Sequence, residues 1–151
     1  MARLSSSDGF VEGWAAYGEG LLLEKGFGAG DPKIRLALQR GALLRLCRLV
    51  AALRLHAFAA KVDEATALFT ESCYLEEYAA RREAERAAID PMVLAPALGK
   101  LQLMEVREAW RQVHGDEAPL AELHDRLLAH GAPPVPMLRR LLFTPAAAPT
   151  P

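Results

Sequence analysis

Glu12 and Glu19 stand seven residues apart in the stretch Phe10-Val-Glu-Gly-Trp-Ala-Ala-Tyr-Gly-Glu19. On a helix that separation is close to two full turns, so both carboxylates fall on one stripe with Ala16 and Leu23. Val11, Trp14, Ala15, Gly18, Leu21 and Leu22 recur at the spacing of an adjoining apolar face. A carboxylate bordering an apolar face is costly unless it is paired, protonated or bound to a metal. Metal ligation is therefore open to this pair, and a solvated face edge is the plain alternative.

The other chemistry-bearing residues are sparse. His56, His114, His124 and His130 are the only histidines, and no two share the i, i+4 spacing of a zinc helix. His124 and Asp125 are neighbours on a predicted helix and point apart, which favours a packing contact over a catalytic dyad. His56 either hydrogen-bonds a helix end or reaches toward a site. No serine sits in a Gly-x-Ser-x-Gly elbow. Cys47 and Cys73 lie in helical patterns without a CxxC spacing and read as buried free thiols, compatible with either redox compartment. Trp14 and Tyr17 read as packing residues, with the tyrosine tip suited to a cleft edge.

The elements that must position these residues are helical. The chain has 151 residues, 52% of them hydrophobic and 25% charged, enough for one domain with its own core. A net charge of −1 gives no electrostatic footprint for nucleic acid. The arginines at 35, 40, 45, 48 and 54 spread around a helix and are better partners for glutamate; Arg48 is the one expected to be buried and ion-paired. The most apolar run, 41–60, is broken by Arg45, Arg48 and Arg54, which argues against a membrane span. No apolar leader core is visible at the N-terminus, so a cytoplasmic location is expected if Met1 is the natural start.

An all-α chain of about six helices is predicted. Residues 1–8 are a polar lead, 9–143 a single helical domain and 144–151 a disordered tail. A first helix over 9–25 ends in Gly26-Phe-Gly-Ala-Gly30. Asp31-Pro32 opens a long second helix to Ala57, apolar on most sides (Ile34, Leu38, Leu43, Leu46, Leu49, Val50, Leu53) and suited to a central position. Asp63 caps a shorter helix through Ser72, continued from Tyr74 to Ile89. Asp90-Pro91 punctuates the chain before a helix to His114, whose first half is disturbed by Pro96 and Gly99. Further helices span 120–130 and 137–143, joined by the extended segment 132–136.

The pattern Phe-Val-Glu-Gly-Trp-Ala-x-Tyr-x-Glu at 10–19 resembles a motif of the large bacterial family known as domain of unknown function 885. Gly-Asp-Pro at 30–32, Leu-Leu-Arg-Leu-Cys-Arg-Leu-Val at 43–50, Tyr-Leu-Glu-Glu at 74–77, Leu-Gly-Lys-Leu at 98–101, and His124-Asp125 with His130-Gly-Ala-Pro-Pro134 look like landmarks of that family's C-terminal part. The resemblance covers roughly residues 9–143. Members look like helical zinc metallopeptidases of the gluzincin type, in which an H-E-x-x-H helix gives two histidine ligands and the general base, and a later glutamate completes the site.

The resemblance implies that Glu12 is the third zinc ligand and that Glu19 is an acid supporting the site from behind. Tyr17 and His56 would stand near the cleft. The chain itself carries no H-E-x-x-H helix. It also reads Val93 and Pro96 where the family tends to carry two tyrosines able to donate to an oxyanion. The expectation is a C-terminal portion or degenerate relative of a peptide or amide hydrolase, with zinc in complete relatives and no bound cofactor in this chain alone. The alternative is a non-catalytic helical module that self-associates or binds a partner, such as a missing N-terminal half.

Overall fold

A computed structural model describes residues 6–143. Most of the predicted polar lead and all of the predicted disordered tail lie outside those residues. The described chain is all-α: α1 Asp8–Glu24, α2 Pro32–Ala57, α3 Val62–Cys73, α4 Glu77–Ile89, a 3₁₀ turn Pro91–Leu94, α5 Ala95–His114, α6 Leu120–Ala129 and α7 Val135–Phe143. Two Asp-Pro pairs set helix starts. The Asp31 carboxylate accepts from the Lys33 N–H at 2.8 Å, and that of Asp90 accepts from the Met92 N–H at 2.8 Å. Each satisfies a backbone donor that a first turn leaves free.

The shorter helix expected through Ser72 is α3, and α4 starts at Glu77, three residues after Tyr74. Tyr74 adopts φ +57°, a left-handed conformation, and Leu75 N–H bonds back to the Phe69 carbonyl, so α3 stops and α4 turns to pack beside it. The N-cap of α3 is Lys61, whose N–H donates to Glu64 at 3.0 Å; Asp63 stands inside the helix, where its carboxylate pairs with Arg81 at 2.5 Å.

α1 packs chiefly on α5. Its buried residues are Phe10, Gly13, Ala16 and Tyr17, whereas Val11 and Leu22, expected on the apolar face, are 46% and 48% exposed. The face is rotated because the two backbones meet at glycines. A Cβ on Gly13 would lie 2.5 Å from the Gly99 backbone, and one on Gly99 would lie 1.8 Å from the Gly9 carbonyl oxygen. Gly99 thus permits a close helix crossing that any side chain would push apart.

Two cores result. One joins α2, α3, α4 and the 3₁₀ turn around Phe69, Val93 and six alanines: Ala51, Ala52, Ala65, Ala80, Ala84 and Ala87. The other joins α1, α5, α6 and α7 around Phe10, Tyr17, Leu103, Trp110, Leu123, Leu127 and Leu138. Cys47 and Cys73, read from sequence as free thiols, form a disulfide that ties α2 to the end of α3 within the alanine-rich core. Spacing gave no sign of it, because the fold brings together two residues 26 apart. α2 is also less enclosed than its apolar sequence suggests: of the seven apolar residues expected to make it central, only Leu49 is buried, and Leu46 and Leu53 are 45% and 43% exposed.

Candidate functional site

α1, α2, the end of α4 and the 3₁₀ turn converge on an open groove of about 360 Å³. Asp8 and Glu12 reach it from α1, Arg48 from α2, and Arg86 and Asp90 from the end of α4. Val93 and Pro96 form its apolar wall. The fold therefore gathers Glu12 with Val93 and Pro96, the two positions where the resemblance leads one to expect tyrosines.

Glu12 is exposed and has no hydrogen-bond or ion-pair partner among the described residues. Arg48 beside it is committed elsewhere. Its Nε and one terminal nitrogen donate to the two carboxylate oxygens of Glu83 at 2.8 and 2.6 Å. That bidentate bond holds the Glu83 carboxyl below the ordinary carboxylate range and raises the Arg48 guanidinium, against the opposing effect of burial in both cases. The groove thus presents two carboxylates without a partner among the described residues, Asp8 and Glu12, beside guanidinium groups.

Zinc needs about four ligands. No three His, Cys, Asp or Glu side chains are grouped to hold a metal among the described residues, and Arg48 and Arg86 in the same groove oppose a divalent cation. These residues do not fit zinc by themselves, and Glu12 supplies at most one ligand.

The other sequence candidates stand apart from this groove. Glu19 forms an ion pair with Arg45, bridging α1 and α2. His56 Nε2 lies 2.9 Å from the Ala87 carbonyl oxygen, in the last turn of α4. Tyr17 is 3% exposed, and its hydroxyl lies 3.1 Å from His124 Nε2, a contact between α1 and α6. Trp14 meets the same imidazole edge-on, with centroids 5.3 Å apart. Burial raises the Tyr17 phenol, opposed by Arg107 nearby. Burial, then the Arg107 charge, lowers the His124 imidazole, with Asp125 acting the other way. Arg107 itself grips both oxygens of Glu24 at 3.0 and 2.8 Å.

Sequence reasoning singled out Glu12 and Arg48 but did not name Asp8, Arg86 or Asp90 as site residues. Arg86 and Asp90 are one helical turn apart, a signal of a shared face, yet which helix they face depends on the α3–α4 turn at Tyr74.

No curated protein matches the chain. Two solved structures share its fold. One, from Shewanella oneidensis, is a lipoprotein by provisional description and of unknown function; it is 25% identical with a TM-score of 0.82, covering 91% of this chain and 25% of that one. The other, from Colwellia psychrerythraea, is also a lipoprotein by provisional description; it is 33% identical with a TM-score of 0.79, covering 88% of this chain and 23% of that one. This chain thus spans about a quarter of the length of those relatives. Residues 1–142 match the family described as bacterial protein of unknown function, DUF885, and the chain belongs to that family.

Proposed function

We propose that this chain is the C-terminal portion of a gluzincin-like zinc hydrolase fold acting on peptides or similar amides, and that it has no such activity alone. The observation that carries this reading is the unpartnered carboxylate of Glu12 at the groove formed by α1, α2 and the start of α5. Ion-paired acids such as Glu19, Glu24 and Glu83 are accounted for by the fold; Glu12 is not. Its role would be to add one oxygen ligand to a site whose remaining ligands and general base come from other parts of the fold. In a complete relative a zinc ion, if held there, would supply Lewis acidity and an activated water.

The test is metal content and peptide hydrolysis, measured on the chain alone and in complex with the rest of such a fold. Alone, the chain should retain no stoichiometric zinc after dialysis and hydrolyse nothing. In the complex, Glu12→Gln should remove zinc-dependent hydrolysis, and activity that survives this substitution would sink the proposal.

A second reading is a non-catalytic helical module. It is favoured by Val93 and Pro96, which offer the groove no hydroxyl for a developing oxyanion. It expects a complex that neither binds zinc nor hydrolyses peptides.

A further inference from the structure

The side of α2 turned away from the alanine-rich core meets α5 along an apolar cleft of about 210 Å³. Ala42 and Leu46 line it from α2, and Ala97, Leu101 and Met104 from α5. Leu46, Leu101 and Met104 are 45%, 43% and 47% exposed, and Leu53, two turns beyond Leu46, extends the strip. Ala97, Leu101 and Met104 recur at i, i+4 and i+7, so they form one ridge along α5. Two apolar ridges with a trough between them fit the ridge of a third helix. Lys100 stands in the same cleft without a carboxylate partner among the described residues.

We infer that this face is the seat of a helical polypeptide carrying the rest of the family's fold, with an apolar ridge in the α2–α5 trough and a carboxylate meeting Lys100. The length of the relatives identifies the occupant. The region equivalent to this chain is only 25% and 23% of the two solved proteins, so most of their fold lies outside it. A helix whose Leu46 and Leu53 stay 45% and 43% exposed is what an internal element looks like when an outer neighbour is a different stretch of polypeptide. The inference rests on family membership and not on zinc chemistry.

The test uses the full chain and, as a separate polypeptide, the Colwellia psychrerythraea protein without the part this chain matches, taken in a form whose circular dichroism and cooperative unfolding show it folded. Both are mixed in chelator and their mass is read by light scattering after gel filtration. A complex of the summed masses is expected. Leu101→Glu and, independently, Met104→Glu should weaken it at least about tenfold while leaving the helical circular dichroism of the chain unchanged. Glu12→Gln should leave it intact, which separates this outcome from failure of the hydrolase reading. The absence of a complex, or a complex indifferent to both substitutions, would overturn the inference. So would a dimer of the chain alone that Leu101→Glu dissolves, since a second copy would then be the occupant.

Discussion

His124 is an imidazole whose surroundings disfavour its charged form. It faces Tyr17 from α1 and Arg107 from α5, with Asp125 as its neighbour on α6. Its folded-state pKa lies below the ordinary value of about 6.5. As pH falls past that value the unfolded chain takes up a proton first, so stability declines until the folded imidazole titrates as well. Denaturant midpoints should therefore fall as the pH drops through about 6.5, and His124→Gln should flatten that part of the profile. Glu24 and Glu83 act in a separate window. Their folded pKa values are depressed by arginine, so their contribution is present above the ordinary carboxylate range and is lost only in more acidic solution. At this scale the sequence shows the stripe but not the partners. The spacing of Glu12 and Glu19 announces that both look the same way. That Glu19 meets Arg45, and Tyr17 meets His124 across 107 residues, follows from helix placement that no local pattern encodes.

Among the elements, the crossing of α1 and α5 depends on the absence of side chains. Gly99→Ala would drive a methyl group into the Gly9 carbonyl and the Gly13 backbone, and neither can give way without separating the helices. A loss of at least about 2 kcal/mol is expected in thermal or urea unfolding. The alanine-rich core is the other dependent element, since alanine buries little apolar area per residue. The Cys47–Cys73 bond restrains it by closing a loop in the unfolded chain. Its loss through Cys73→Ser should cost about 3 kcal/mol, and the oxidised chain should be two hydrogens lighter by mass spectrometry than the reduced one. Helix limits were legible wherever Asp-Pro or glycine punctuates the chain, as at α2 and the end of α1. The end of a helix near Ser72 was legible too; the left-handed turn at Tyr74 was not, because a bulky residue at positive φ is rare and carries no turn signature. The same turn hid the disulfide, which forms only because α3 ends there and presents Cys73 to α2.

For the molecule as a whole, membership of the family was legible because its landmarks run in order from one end of the chain to the other. The role of Glu12 was not, because a carboxylate at a solvated helix edge has the same local spacing whether or not it serves a site. No described helix is long and apolar enough to cross a membrane. The division into two cores also governs what an optical probe can see. Both tryptophans, Trp14 and Trp110, belong to the core built on α1, α5, α6 and α7. The half stapled by the disulfide contains none. Intrinsic tryptophan emission therefore follows only one half of the protein directly, and reduction could loosen the other half while the emission stayed unchanged.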